Sequence, residues 1–452
     1  MTADLRALYR AAWVLPVTSP PIRNGAVLVD GDGCIATTAP AAAIEPPEGT
    51  PVVELGEAIL LPGLVNVHAH AELSMFRGAL EDLPFREWIV RLVGAKRSVL
   101  TEEDHLWAAR WTAIEAMRAG ITTLGCTEAS TAAARALGEA GMRGTVYQEV
   151  FGPDPEQAGE GIAALRDCVL ALRAGQEGLV RIGISPHAPY TVSDDLYRLA
   201  IRLAVEEGLP MAVHIAESAA ERDLVTHGGG DFEPGLRARG IPTPARAGSP
   251  IELLERLGVL RARPLLIHAV DVDHEDIRRI AESGSAVAHC PVANAKLGHG
   301  VAPVVEMQAA GITVGLGTDS VASNNRLDLL EEARTATLLQ RARLRRPDPL
   351  SADELLRMCT VDGARALGLE GRVGALEPGM EADLCAVSLG GAHARPVNDP
   401  LATLFHSARG ADVVLTVVRG RVLYESGRVT SLDEGAARAA LDDCAARLAQ
   451  LR

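Results

Sequence analysis

Two histidines separated by one residue, His68 and His70, lie in the apolar run LVNVHAH (64–70) and have the spacing of a metal-binding pair. In a β-strand, residues two apart project from the same face, so both imidazoles can bind one ion. His214 and Asp319 also follow apolar runs and complete a set of nitrogen and oxygen donors. Such a set suits one divalent ion with a position left for water: Zn2+ is expected, and Fe2+ or Mn2+ would fit. The alternatives are a hydrogen-bonded histidine pair and an aspartate that caps a helix.

Further polar residues at the ends of apolar runs have side chains suited to acid–base chemistry. Glu217, in HIAE, is placed to reach a reacting ring rather than the ion. We assign His268, in LLIHAV, to the attacking water or the oxygen that develops from it, and His187, in PHAPYT, to the substrate. Either histidine could instead be a hydrogen-bonded core residue. His289 and Asn294, in HCPVANAKLGHG, are expected near the same site without an assigned role.

The middle of the chain alternates strand-like apolar runs with helix-like stretches, which favours parallel βα units. Eight runs qualify as strands, the number that closes a (β/α)8 barrel. They span 64–70, 122–126, 144–151, 180–188, 210–217, 264–270, 285–291 and 312–319. Because the carboxyl ends of barrel strands all face one mouth, the polar residues described above are expected to converge there.

Short strand-like pieces separated by Gly, Pro and Asp occur near both ends of the chain. We expect them to pair into a small composite β-sandwich. The predicted organisation is a first sandwich part at 1–60, an α/β TIM barrel at 61–375, a second sandwich part at 376–430 and a C-terminal helix at 431–452. The Gly- and Pro-rich insertion 227–248 falls between the fifth and sixth strands and is interpreted as a lid or pocket wall.

The composition limits the classes of partner. A net charge of −15 argues against nucleic acid and anionic membrane surfaces and leaves a small-molecule substrate as the expected partner. The seven cysteines are scattered without a CxxC pair, as is typical of a reducing compartment. With neither a signal-peptide pattern nor a long apolar run in the sequence, we expect a cytoplasmic protein.

Six segments, in order, resemble the amidohydrolase superfamily, in particular its branch of mononuclear deaminases and chlorohydrolases. They are LPGLVNVHAH, SPHAPYT, HIAES, LIHAV, AHCPVANAKLGHG and GLGTDSVASNN. Binuclear members bridge two metals with a carbamylated lysine at the end of strand four. Here that strand ends in SPHAP, and the two lysines, Lys96 and Lys296, lie elsewhere. The resemblance therefore implies one metal ion, and it suggests a homodimer.

The resemblance also implies a mechanism of hydrolytic deamination. Glu217 would take a proton from the attacking water and deliver it to a ring nitrogen. His268 would orient that water and stabilise the developing oxygen. Asp319, besides binding metal, would help pass a proton to the departing amine.

Within the branch, HAHAELSMFRGALEDLPFREWI and YQEVFG most resemble aminodeoxyfutalosine deaminases and methylthioadenosine/S-adenosylhomocysteine deaminases. The latter carry a ribose-binding glutamate shortly after the EW pair, where this chain has Lys96 and Arg97. This difference favours aminodeoxyfutalosine, whose carboxylate could meet a cation. Methylthioadenosine, S-adenosylhomocysteine and adenosine are the first alternatives. Guanine, 8-oxoguanine and s-triazines follow, and a noncatalytic scaffold comes last.

Three residues near the first strand are further candidates for the substrate pocket. Glu72, in HAHAELS, is expected to contact the sugar or base or to form a structural salt bridge. Trp88 and its neighbour Phe85 are expected to wall the pocket, with core packing as the alternative for both aromatic rings.

Overall fold

The computed structural model of the protein describes residues 5–175 and 178–449. Its strands are β1 (Ala7–Val14), β2 (Ile22–Val29), β3 (Ile35–Pro40), β4 (Val52–Glu54), β5 (Ala58–Pro62), β6 (Leu64–Ala69), β7 (Ile121–Glu128), β8 (Arg143–Val150), β9 (Val180–Pro186), β10 (Ala212–Ile215), β11 (Leu265–His268), β12 (Ala286–His289), β13 (Val314–Leu316), β14 (Leu384–Ser388), β15 (Val413–Val418), β16 (Arg421–Glu425) and β17 (Arg428–Val429). Its helices are α1 (Phe85–Val99), α2 (Glu102–Arg118), α3 (Ala132–Ala140), α4 (Ala158–Gly175), α5 (Asp194–Glu207), α6 (Ala219–His227), α7 (Glu233–Arg237), α8 (Pro250–Leu257), α9 (His274–Ser283), α10 (Pro291–Lys296), α11 (Val304–Ala309), α12 (Val321–Asn324), α13 (Leu329–Leu344), α14 (Ala352–Cys359), α15 (Val361–Ala366), α16 (Pro400–His406) and α17 (Glu434–Ala449).

Strands β6 to β13 form the barrel, and all eight predicted strands are present. They pair in parallel as two four-stranded halves, β6 to β9 and β10 to β13. The halves meet where the amide of Ile184 donates to the carbonyl of Pro210 at 2.9 Å. The ring closes where the amide of Asp319 donates to the carbonyl of His68 at 2.9 Å. The α/β barrel predicted from the sequence is therefore confirmed.

Helices cover the outside of the barrel, and local sequence signals set their ends. Helix α5, for example, begins after Ser193, whose hydroxyl accepts the amide of Leu196, and ends at Gly208 in the left-handed conformation. A serine cap satisfies an amide that the helix leaves unpaired, and glycine adopts positive φ without strain. The helices thereby turn back to the next strand and leave the strand ends open at one mouth.

The strands at both ends of the chain form one continuous sheet, as the expected composite lobe requires. Its order is β17-β16-β15-β14-β5-β1-β2-β3, with β4 beside β1. The N- and C-terminal parts join where β5 pairs antiparallel with β14. Arg143, at the start of barrel strand β8, is buried and donates to both carboxylate oxygens of Asp383, at 2.9 and 3.0 Å. This ion pair ties the sheet to the barrel at the end opposite the mouth.

The insertion after β10 packs against the mouth. Its residues Phe232, Leu236 and Ile241 are buried in one cluster with Ala188 and Tyr190, which follow β9. The phenol ring of Tyr190 stacks on Phe232 with centroids 4.2 Å apart. The insertion therefore forms a wall on the substrate side of the barrel.

In the described part of the chain, no helix has the length and apolar character needed to cross a membrane.

Candidate active site

Four side chains from three barrel strands meet at the centre of the mouth. Nε2 of His68 lies 3.3 Å, and Nε2 of His70 3.5 Å, from Oδ1 of Asp319. One ring nitrogen from each of His68, His70 and His214 lies within 4.8 Å of the other two. Three imidazoles and one carboxylate thus face a common point, as the sequence predicts.

The donors fit a divalent cation. Nε2 of His68 is buried and has no well-formed hydrogen bond within residues 5–175 and 178–449. Burying an unpaired polar atom costs free energy, so this nitrogen needs a partner. Asp319 adopts a left-handed conformation with φ of 57°, which is unusual for a residue with a side chain. A cation at the common point would satisfy the imidazole nitrogen and explain why the strained backbone is retained.

The protonation states also suit metal binding. Burial lowers the pKa of His70 to about 3 and the pKa values of His68 and His214 in the same direction, so the three rings are neutral. Burial alone would raise the pKa of Asp319, but the close approach of His68, whose Nε2 lies 3.3 Å from Oδ1, and of His268 and His70 outweighs it and lowers that pKa. Neutral imidazoles and an ionised carboxylate are the forms that ligate a metal.

Neighbouring donors orient the Asp319 carboxylate. Oδ1 accepts the amide of Ser320 at 2.7 Å, and Oδ2 accepts the hydroxyl of Ser323 at 2.6 Å. Such outer hydrogen bonds fix the direction of a ligating carboxylate. Ser323 lies on α12, so this short helix after β13 is what holds the ligand in place.

Glu217 stands beside the metal donors at the end of a turn that a second glutamate holds. The backbone leaves β10 through Ala216, which has φ of 50°. Glu221 accepts the amides of Ala216 and Glu217 at 2.8 and 3.0 Å, one with each carboxylate oxygen. The turn is thereby fixed from the side opposite the cavity, and the Glu217 side chain is directed into the mouth.

The carboxylate of Glu217 is surrounded by groups that keep it ionised. Oε1 lies 3.5 Å from Nε2 of His268 and 3.4 Å from Nε2 of His299, and the Tyr190 hydroxyl donates to Oε2 at 3.5 Å. Burial raises the pKa of Glu217, but His268 and His299 more than offset this and hold it below its ordinary value. A buried, ionised carboxylate beside candidate metal ligands is suited to act as a proton acceptor.

His268 ends β11 and faces both the metal donors and Glu217. Oδ1 of Asn294 accepts from Nδ1 of the ring at 3.0 Å, which leaves Nε2 directed into the site. One ring nitrogen of His268 lies within 4.8 Å of donor atoms of both His68 and Asp319. With φ of 76°, His268 is also in a left-handed conformation. The Asn294 contact and the position of the ring together direct its Nε2 at Glu217 and the candidate metal ligands.

The mouth opens into a cavity of about 730 Å³, within the range of small-molecule sites. His70, His214, Glu217, His268 and Asp319 all contribute to its lining. Its walls are mainly apolar and aromatic, and they include Phe85, Trp88, Phe151 and Tyr190. Three cations, Lys96, Arg97 and Arg239, also line it. The cavity thus combines a polar site with aromatic walls and a basic region.

The predicted substrate-binding residues differ in where they lie. Trp88 is on the cavity wall, and its indole nitrogen is buried without a hydrogen-bond partner in the described residues. His187 is also on the wall, with Nδ1 2.8 Å from the Thr191 hydroxyl. Glu72 is not among the lining residues: its buried carboxylate pairs with Lys96 and accepts the amide of Ser130 at 3.0 Å. This is the salt-bridge alternative that the sequence leaves open for Glu72.

Other residues with no role assigned from the sequence surround the site. His299, Tyr190 and Glu149 line the cavity or contact Glu217. The sequence signal for the first two was their place in the motifs LGHG and PHAPYT, and for Glu149 it was its place in YQEVFG. His289, expected near the mouth, is buried outside the cavity lining.

Comparison with known proteins agrees with this geometry. Residues 59–423 match the model of the amidohydrolase family. A 5-methylthioadenosine/S-adenosylhomocysteine deaminase of Moorella thermoacetica is 34% identical over 95% of this chain and 96% of its own. A 5'-deoxyadenosine deaminase of Methanopyrus kandleri is 31% identical over 94% and 96%. The zinc-bound structure of an adenosine deaminase from Xanthomonas campestris superposes with a TM-score of 0.83, at 28% identity and 99% coverage of both chains. The site, the fold and these similarities together establish that the chain belongs to the amidohydrolase family.

Proposed function

We propose that this protein is a metal-dependent hydrolase that removes the 6-amino group of an adenine nucleoside as ammonia. The observation that carries the proposal is the position of Glu217, an ionised carboxylate, between the metal donors and an aromatic cavity of nucleoside size. The relatives that bear deaminase names match almost the whole length of this chain, which supports the same reaction class.

The ligands proposed for the ion are His68, His70, His214 and Asp319. Zinc is favoured because nitrogen and oxygen donors in a four-ligand set suit it, and because the similar adenosine deaminase structure contains zinc. When bound, the ion supplies Lewis acidity that lowers the pKa of water toward neutrality.

Glu217 then has the role of proton carrier. Its carboxylate is ionised and accessible from the cavity, so it accepts a proton from water and delivers it to N1 of the purine. Protonation at N1 makes C6 electrophilic, and the hydroxide left from that water adds there. Tyr190 and His299 hold the carboxylate in position through the contacts described above.

His268 is placed to stabilise the oxygen that becomes attached to C6. Its Nε2 faces the site because Asn294 binds the other ring nitrogen. Asp319 accepts the proton of the hydroxyl formed at C6 and passes it to the departing amino group. The C6–N bond breaks, ammonia leaves, and a 6-keto purine remains.

The finer substrate proposal is a nucleoside with an acidic 5' substituent, with aminodeoxyfutalosine as the favoured compound. Arg97 and Arg239 line the cavity, and within the described ranges neither guanidinium has a hydrogen-bond or ion-pair partner. Most other arginines of this acidic chain are paired with carboxylates. Two free guanidinium groups are suited to bind a carboxylate of the ligand.

A substrate panel tests the proposal. Zinc-loaded protein is assayed for ammonia release and for the change in purine absorbance on aminodeoxyfutalosine, methylthioadenosine, S-adenosylhomocysteine, adenosine, guanine, 8-oxoguanine and an s-triazine. We expect turnover of the adenine nucleosides and the highest kcat/KM for the nucleosides with a carboxylate. Turnover confined to free bases or triazines would overturn the proposed function. A preference for methylthioadenosine would overturn only the role of Arg97 and Arg239.

A further inference from the structure

Glu149 is a buried carboxylate in the cavity that the proposed reaction does not use. It lies next to the last residue of β8, and 4% of its side chain is exposed. Its Oε1 has no hydrogen-bond partner in the part of the chain that the structure describes. Nε2 of His187 lies 4.0 Å from that oxygen, which is beyond hydrogen-bond distance.

An unpaired carboxylate oxygen in a binding cavity needs a donor, and the surroundings of Glu149 lack a suitable one. Phe151 covers this part of the wall and packs against the His187 ring with centroids 4.8 Å apart. Lys96, a basic side chain of the same wall, is already paired with Glu72. Because a buried acceptor without a partner is costly, the donor is expected to come from the ligand.

An adenine nucleoside has few groups that can donate. The purine ring carries one donor, the 6-amino group, and the proposed reaction places that group at the metal donors and Glu217. The remaining donors are the hydroxyls of the sugar. Glu149 also lies near the site: its carboxylate and ring nitrogens of His187 and His214 are within 4.8 Å of one another. A sugar attached to a purine at the metal centre is therefore the part of the ligand available to Glu149.

We infer that Glu149 binds a ribose hydroxyl and makes the enzyme selective for ribonucleosides over the matching deoxynucleoside. The inference rests on the proposed deaminase function, because the elimination of donors holds for an adenine nucleoside. Glu149 is thus a specificity-determining residue that contacts the sugar, while Glu217 handles the proton at the base.

The test compares kcat/KM for adenosine, 2'-deoxyadenosine and 3'-deoxyadenosine in the zinc-loaded wild type, in Glu149→Gln and in the control Glu156→Gln. Glu156 is exposed and follows the same strand, so its variant tests for a general effect of losing a charge. In the wild type, loss of the bound hydroxyl is expected to lower kcat/KM about 3- to 10-fold, as for one buried hydrogen bond. In Glu149→Gln, kcat/KM for adenosine should fall toward kcat/KM for the deoxynucleoside that lacks the bound hydroxyl. The kcat/KM for that deoxynucleoside should change little.

Several outcomes decide the matter. Equal kcat/KM for all three nucleosides in the wild type would overturn the assignment while leaving the deaminase function intact. The assignment would also be overturned if Glu149→Gln kept the full preference for the hydroxyl. Loss of zinc from Glu149→Gln would overturn it as well, because it would place Glu149 in a metal site with His187 and His214. A wild type that turns over neither these three nucleosides nor any other adenine nucleoside of the substrate panel would overturn the proposed function and this inference with it.

Discussion

Replacing Glu217 by glutamine removes the proposed proton carrier while keeping its size. The carboxylate contacts His268, His299 and Tyr190 at 3.4 to 3.5 Å, and an amide can occupy the same space. It cannot accept a proton at neutral pH. We therefore expect Glu217→Gln to fold and bind zinc as the wild type does, while turnover is nearly lost.

The magnitude follows from what else could carry the proton. General acid–base catalysis contributes about 10²- to 10⁴-fold. The other carboxylates on the cavity wall are Asp319, which is held by Ser320 and Ser323, and Glu149. Neither stands where Glu217 does, so the upper part of the range applies. A fall in kcat of about 10³-fold corresponds to about 4 kcal/mol in activation free energy.

The assay measures kcat, KM and zinc per chain for the wild type, for Glu217→Gln and for the exposed control Glu206→Gln. Glu206 lies on α5 with 60% of its side chain exposed, and its variant should match the wild type. A Glu217→Gln enzyme with full zinc and kcat within tenfold of the wild type would refute the assigned role.

Three further predictions concern the metal, the turn and the pH dependence of stability. His214→Ala should lose bound zinc and activity together, as measured by metal analysis and ammonia release, whereas retained zinc would contradict the ligand set. Glu221→Gln leaves one of the two backbone amides without its acceptor; kcat should fall about 10-fold or more with KM and zinc nearly unchanged, and an unaltered kcat would show that the turn does not depend on Glu221. Burial raises the pKa of Glu128 from 4.5 to about 8, so the folded protein holds a proton that the unfolded chain releases above its lower pKa. The contribution of Glu128 to the free energy of unfolding therefore falls as pH rises from about 5 to about 8, so in urea denaturation the stability of the wild type should fall over that range relative to that of Glu128→Gln; a constant difference between the two proteins would contradict this cause.

Much of the site was predictable because it depends on periodicity and on the rule that barrel strands end at one mouth. His68 lies in β6 and His70 directly follows that strand, while His214, His268 and Asp319 are each at or just beyond a strand end. The barrel then brings them together whatever the details of the loops. To predict the metal donors, it was enough to know the number of strands and their direction.

Other features depend on contacts that a single sequence does not encode locally. The Glu72 carboxylate lies under Lys96 because α1 packs over the loop after β6, and no spacing in the sequence reveals that pair. His299 reaches Glu217 from beyond α10, and Tyr190 does so from the loop after β9. These positions follow from how loops fold over the mouth.

The ends of the strands were also only partly predictable from the sequence. The eighth strand was expected over 312–319, but β13 spans Val314–Leu316. The chain leaves the sheet before Asp319, which has positive φ and is held by hydrogen bonds to α12. An apolar run predicts where a strand lies, whereas the point at which the backbone turns to present a ligand is set by the site itself.

The central claim is that one ion is bound by three imidazoles and one carboxylate at the barrel mouth. A crystal structure of zinc-loaded protein with anomalous data at the zinc edge tests it most directly. The account predicts one strong peak at about 2.0 to 2.2 Å from a nitrogen of each of His68, His70 and His214 and from an oxygen of Asp319. A zinc peak on other residues, or no peak at the mouth after loading with zinc, would contradict it.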